Sequence, residues 1–261
     1  MKNSALIGYT GFVGSTLMKQ VSIPNLYRST NIQDVSGRRF DTVVCAAAPA
    51  QKWLANREPE SDLANIEALI SRIDTLECDR FILISTVDVF QDPNQVDERT
   101  PVITDRLHAY GKNRYHLENF VKERFDNPLI VRLPGLVGPG LRKNVVFDLL
   151  NSNNMDLIES RSIFQFYPMV NLWSDIETAL ALDLSLVHLT AAPLSVADIA
   201  DRGFGKAFTN HRTPDPVQYD FRSVHASAFG GGELYQYDAR SAMIAIRAYA
   251  QSEPACSRIA Q

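Results

Sequence analysis

The strongest constraint on this chain lies at its N-terminus. Ser4-Ala-Leu-Ile-Gly8 is an apolar run that closes on a glycine, and Gly11 and Gly14 follow at intervals of three. A helical segment is expected from about Ser15 to Gln20. A strand that must turn at once into a helix needs backbone conformations open to glycine. The same turn leaves the first N–H groups of the helix without partners, and the helix dipole makes them an anion site suited to a pyrophosphate. In this strand–turn–helix context the spacing predicts a nicotinamide dinucleotide, NAD or NADP, on the backbone of Gly8, Thr10, Gly11, Phe12, Val13 and Gly14. A purely structural turn is the competing reading.

The alternation continues through the first half. Strands are expected near Asn25–Arg28, Asn31–Gln33, Thr42–Ala46, Phe81–Ser85 and Leu129–Leu133. Between them Leu63, Ile66, Leu69, Ile70 and Ile73 share one face of a helix over Asp62–Thr75, and another helix spans Ala109–Arg124. Apolar strands alternating with helices predict an α/β fold, a doubly wound parallel Rossmann-like sheet, over residues 1–134. After Pro134 the rhythm breaks into a turn-rich stretch up to Gly140, an amphipathic segment over Val145–Leu150 and an aromatic run over Phe164–Tyr167. A strand near Leu186–Leu189 returns to the sheet. Residues 135–261 therefore read mostly as a smaller C-terminal substrate lobe, with Ser252–Gln261 as a frayed tail.

Composition removes other classes. The formal net charge of −4 offers no basic field for nucleic acid. No apolar run approaches the roughly 20 residues that cross a bilayer, and no signal peptide is evident. Cys45, Cys78 and Cys256 lack CxxC spacing, which fits a reducing compartment and gives no metal site. A cytoplasmic protein without membrane or nucleic-acid partners is expected.

Thr10-Gly11-Phe12-Val13-Gly14, Ala46-Ala47-Ala48, Asn65, Ser85-Thr86, Tyr110 and Arg132–Gly140 occur in an order that resembles the extended short-chain dehydrogenase/reductase family, also called the NAD-dependent epimerase/dehydratase family. The resemblance covers most of the chain. It implies cofactor contacts from Ala46, Ala47 and Pro134. It also places Thr86, Tyr110 and Arg114 where that family has its Ser/Thr–Tyr–Lys triad. The family's Tyr-x-x-x-Lys motif reads Tyr110-Gly-Lys-Asn-Arg114 here. Arg28, after the second strand and without a nearby carboxylate, favours NADP over NAD; an ordinary exposed arginine is the alternative.

Tyr110, Arg114, Leu117 and Val121 recur as one helix face, and the two apolar residues mark it as buried. Arg114 there needs a partner. Cofactor hydroxyls and the tyrosine oxygen are one choice, and a structural salt bridge is the other. A tyrosine base working near pH 7 needs its pKa lowered by about 3 units, or about 4 kcal/mol. A cation ~6 Å away at an effective dielectric of ~20 supplies roughly 2.8 kcal/mol of that. Arginine meets this demand but, unlike lysine, does not give up a proton. Thr86 is expected to orient the substrate oxygen.

The resemblance also narrows the reaction. Sugar-nucleotide 4,6-dehydratases of that family carry Asp-Glu after the catalytic Thr, whereas this chain has Val87-Asp88. Asp88 is thus either a second acid–base group or a loop cap. Trp53 either stacks on substrate or packs in the core. Arg142 and Lys143 either grip a diphosphate or form a solvated pair. The expected function is NAD(P)-dependent oxidoreduction or epimerisation of a nucleotide-linked or related sugar, in a possible homodimer. A non-catalytic NAD(P)-binding sensor or scaffold is the alternative, favoured by Arg114.

Overall fold

The computed structural model describes residues 3–255. Its first part runs β1 (Ser4–Ile7), α1 (Phe12–Gln20), β2 (Asn25–Tyr27), β3 (Arg39–Cys45), α2 (Lys52–Arg57), α3 (Pro59–Ile73) and β4 (Glu77–Thr86). It continues through β5 (Asn94–Val96), α4 (Ala109–Arg124), β6 (Pro128–Leu133), β7 (Gly135–Val137), α5 (Val145–Asn151), β8 (Ile163–Phe164) and β9 (Phe166–Pro168). The last elements are α6 (Leu172–Ala181), β10 (Leu186–His188), β11 (Leu194–Ser195), α7 (Val196–Asp198), β12 (Asp220–Phe221) and α8 (Ala239–Ser252). Cys256 and most of the expected tail lie outside the described residues.

The chain divides into two compact units. The first takes the chain up to Asp92, then Glu98–Leu133 and Leu172–His188. Its six strands lie in the order β10-β6-β4-β3-β1-β2, all parallel. The strand interiors are dry: Ala5, Leu6, Ile7, Val43, Val44 and Ile82 are fully buried, as a sheet covered on both faces requires. The chain passes from β1 to β2 on one side, then crosses to β3 on the other. That reversal opens a crevice beyond the carboxyl ends of β1 and β3, the usual ligand position in such sheets.

Helix α3 begins with Pro59 in its first turn and carries Glu60 and Asp62 there, both favourable at a helix N-terminus. The returning strand is present, with β10 parallel to β6. The strand expected at Asn31–Gln33 is instead part of a 3-10 turn over Ile32–Val35. The Asn31 side chain accepts from Arg28 N at 2.7 Å and donates to Leu26 O at 3.1 Å, so a local side-chain turn displaces the ladder. Helix α1 starts earlier than expected because Gly11 serves as its N-cap.

The second unit comprises Pro93–Asp97, Pro134–Asn171 and the chain from Leu189 onward. It holds three strand pairs, β7–β9, β8–β11 and β5–β12. Phe166 and Tyr167 of the aromatic run are buried in it. Buried Gln165 knits the pairs together, donating to Ala191 O and Phe221 O and accepting from Phe221 N, all at 2.7–2.8 Å.

Candidate active site

The glycine loop is built by close approach. Gly8 has φ +89°, and a Cβ there would lie 2.5 Å from the carbonyl oxygen of Ala46. Gly8 N donates to Tyr27 O at 2.8 Å and Ala46 N to Ile7 O at 2.9 Å, so the loops after β1 and β3 leave the sheet side by side. A Cβ at Gly14 would stand 2.2 Å from Gly8 O, which ties the first turn of α1 against the loop. Gly11 differs: its nearest neighbour would be 3.5 Å away, and it offers no side-chain cap to the helix. Thr10 and Gly11 are exposed. Gly8 and Gly14 are therefore demanded by packing, whereas Gly11 leaves the helix N-terminus open to an outside anion. This cradle fits a dinucleotide pyrophosphate.

Thr86 ends β4 at the same carboxyl edge, and its Oγ1 accepts from Asp88 N at 3.1 Å. Tyr110 lies in the first turn of α4 and is 8% exposed, with Thr86 near enough to influence its hydroxyl. The start of α4 is fixed from three directions. His108 Nδ1 accepts from Gly111 N at 3.0 Å, and Asn56 Oδ1 accepts from Tyr110 N at 3.0 Å. A Cβ on Gly111 would come within 2.0 Å of Asp88 O, so only glycine admits this approach.

Arg114 is where the open alternatives are resolved. It is 3% exposed and forms a two-pronged ion pair with Asp62 of α3, Nη2 lying 2.9 Å from Oδ1 and Nη1 bonding Oδ2. Nη2 also donates to Pro49 O, and Asn113 Nδ2 donates to Asp62 Oδ2 at 2.8 Å. The guanidinium carbon lies 4.2 Å from the centre of the Tyr110 ring, stacked on its face. Arg114 Nε is buried without a hydrogen-bond partner. Burial pushes the Tyr110 hydroxyl up to about 12; Arg114 and Thr86 oppose this, while Asp88 and Asp62 reinforce it. The expected lowering by Arg114 is present but is outweighed.

Asp88 is paired with Lys52 of α2, Nζ to Oδ1 at 2.7 Å. Trp53 is 62% exposed, not a core residue, and Arg57 lies 4.8 Å from its ring centre. Arg28 stands just past β2 at the carboxyl edge, exposed, with Nε donating to Thr30 Oγ1 at 2.9 Å. Pro134, Arg142 and Lys143 belong to the second unit, where Pro134 is buried and the two cations are exposed.

Sequence reasoning missed Asp62, Lys52, Asn56 and Asn113. Asp62 had a readable signal. With Ile66, Leu69 and Ile73 it forms the buried stripe of α3, and it takes a place there that Leu63, 40% exposed, does not.

No helix among the described residues is long and apolar enough to cross a membrane. No protein-family model matches the chain, and no curated protein is significantly similar in sequence. Solved structures do match. A dTDP-4-dehydrorhamnose reductase from Clostridium acetobutylicum superposes with a TM-score of 0.72 at 18% identity, covering 95% of this chain and 98% of that one. The dTDP-4-dehydrorhamnose reductase from Bacillus anthracis, solved with NADP, gives 0.70 at 17% identity over 97% and 99% of the two chains. A UDP-glucuronic acid 4-epimerase from Bacillus cereus, solved with NAD and a fluorinated UDP-sugar, gives 0.67 at 15% identity over 95% and 98%. At 15–18% identity these likenesses establish a shared fold.

Proposed function

We propose that the protein is an NAD(P)-dependent oxidoreductase or epimerase of the extended short-chain dehydrogenase/reductase family, acting on a nucleotide-linked or related sugar. One observation carries this reading. The glycine cradle, Thr86 and the helix start that holds Tyr110 all stand at the carboxyl edge of a single parallel sheet. The structural neighbours named above are enzymes of nucleotide sugars, two of them solved with NADP or NAD, which supports the class.

Gly8, Gly11 and Gly14 would hold the pyrophosphate, with Ala46 and Ala47 beside it. Arg28, flanked by the Thr30 hydroxyl, would take the 2′-phosphate of NADP. When bound, the dinucleotide supplies or accepts a hydride at a sugar carbon. Thr86 orients the sugar oxygen and Tyr110 moves its proton. Trp53 offers an exposed indole for a base or sugar ring.

The test begins with purified protein and its bound NAD(P) absorbance, then follows 340 nm absorbance and sugar products over a panel of nucleotide sugars. Epimerisation gives product without net absorbance change, so both readouts are needed. Tyr110→Phe is expected to lower kcat by about 10²- to 10⁴-fold while leaving cofactor affinity intact. Cofactor binding with no turnover on any sugar, and no difference in Tyr110→Phe, would favour the alternative of a non-catalytic NAD(P) sensor or scaffold. The commitment of Arg114 to Asp62 is the observation on that side.

A further inference from the structure

Helix α2 is too short to stand by itself. It has six residues, no side-chain cap at Gln51 and one buried residue, Ala55. An isolated helix needs about 12–15 residues to persist in water, so docking decides where α2 lies. Lys52 and Asn56 are four residues apart, on one face of the helix. Lys52 Nζ reaches Asp88 Oδ1 at 2.7 Å, and Asn56 Oδ1 accepts from Tyr110 N at 3.0 Å. Trp53 and Arg57, the neighbouring pair at the same spacing, are exposed and lie against each other. Asp88 extends the link to Thr86. Its N–H is accepted by Thr86 Oγ1 at 3.1 Å, which caps the 3-10 turn Val87–Val89 and fixes the Thr86 side chain. Its carbonyl oxygen stands where a Cβ on Gly111 would come within 2.0 Å, so the turn is pressed against the start of α4. Thr86, Asp88, Lys52, Asn56 and Tyr110 thus form a closed circuit of contacts through β4, α2 and α4.

We propose that α2 is a bracket for the site: Lys52, through Asp88, and Asn56 are positioning residues that set how Thr86 and Tyr110 stand relative to one another. Asp88 is the hub of the bracket, and its carboxylate serves Lys52, not a second acid–base step. The inference rests on the reading above for Thr86 and Tyr110 as the pair that meets the sugar oxygen. Such a bracket bears directly on rate, because a misplacement of about 1 Å between reacting groups costs on the order of 100-fold. It leaves the glycine cradle untouched, so its loosening should slow the chemistry without weakening the dinucleotide.

Amide hydrogen exchange, followed by NMR at one pH, provides a test independent of turnover. Tyr110 N lies in the first turn of α4, among the donors that a helix cannot satisfy by itself, and its acceptor is Asn56. Exchange at this amide therefore reads the docking of α2. Lys112 N, which donates to His108 O at 3.0 Å within α4, is the internal control. In the wild type the Tyr110 amide should exchange about threefold or more slowly than a free amide. Lys52→Met should speed it by about threefold or more, although the partner of Lys52 is Asp88, and should leave Lys112 unchanged. Asp88→Asn cuts the same link from its other end and should act alike. A Tyr110 amide that exchanges freely in the wild type overturns the proposal without any variant. So does Tyr110 exchange that stays at the wild-type rate in the folded variants, or Lys112 exchange that rises in step with it. With active enzyme, Lys52→Met should lower kcat by about 3- to 10-fold and leave the dinucleotide Kd unchanged. An unchanged kcat overturns the positioning role. Exchange as expected without turnover on any sugar would uphold the bracket and overturn the enzyme reading.

Discussion

Arg28 is the side chain on which the proposed preference for NADP rests. It is exposed at the end of β2, its backbone N–H is held by Asn31 at 2.7 Å and its Nε by Thr30, so the head is presented beside two hydroxyl-bearing residues, Ser29 and Thr30. A charged hydrogen bond to the 2′-phosphate is worth about 1.5–3 kcal/mol. Arg28→Glu should therefore weaken NADP binding by roughly 10- to 100-fold, converting that energy at 1.4 kcal/mol per decade, while affecting NAD little. Fluorescence titration with the two reduced cofactors measures the ratio. An equal loss for both would remove Arg28 from the proposed phosphate site. Trp53 and Asp88 show the opposite limit. Their identities left two readings open; exposure of the indole removes only the core reading of Trp53, and Asp88 takes Lys52 as its partner.

At the level of elements, α1 and α4 owe their positions to backbone contacts that only glycine permits. Gly14→Ala places a methyl 2.2 Å from Gly8 O, and Gly11→Ala meets nothing nearer than 3.5 Å. The first should destabilise the protein by about 2 kcal/mol or more, and the second by under about 1 kcal/mol while still impairing dinucleotide binding. Denaturant melts and cofactor titrations separate the two effects. Helix α4 carries a pH-dependent cap. Burial and Lys52 lower the His108 pKa, so the neutral ring that accepts from Gly111 N is favoured in the fold. The cap's contribution is thus complete above the unfolded histidine value of about 6.5 and is lost as pH falls through the lower folded value. His108→Ala should cost about 1 kcal/mol at pH 8 and progressively less in acid, as followed by urea melts across pH. A cost independent of pH would mean that packing, not the ring nitrogen, holds the helix start.

The first unit as a whole is pinned by a second buried pair. Glu118 of α4 is fully buried and accepts from Arg132 of β6 at 3.0 and 2.7 Å, while Ser85 at the end of β4 donates to it at 2.5 Å. One carboxylate thereby joins a helix to two neighbouring strands directly below Thr86. Glu118→Ala leaves Arg132, 2% exposed, without its partner, and should cost about 3–5 kcal/mol. A loss below about 1 kcal/mol in chemical denaturation would show that Arg132 is accommodated without the carboxylate, for instance by hydrogen bonding to His188, 3.3 Å away.

What the sequence determined by itself is whatever repeats locally. The apolar strands, the helix stripe through Tyr110 and Arg114, and the glycine spacing each follow from neighbours a few residues apart. They were sufficient for the parallel sheet and the loop after β1, whereas the choice of Thr86 and Tyr110 came from the family resemblance. The partners of the charged residues were decided by tertiary structure. Arg114 and Asp62 are 52 positions apart, and Lys52 and Asp88 are 36 apart. Asp62 on the buried stripe of α3 and Arg114 on that of α4, charges of opposite sign, hinted at the first pair. No periodicity pointed to the second. A local turn likewise replaced the strand expected at Asn31–Gln33, because a side-chain amide competed with the ladder. The reason is general to folds of this kind. Hydrophobic periodicity declares which face of an element turns inward, but the charge that balances a buried arginine is chosen only when two such faces meet.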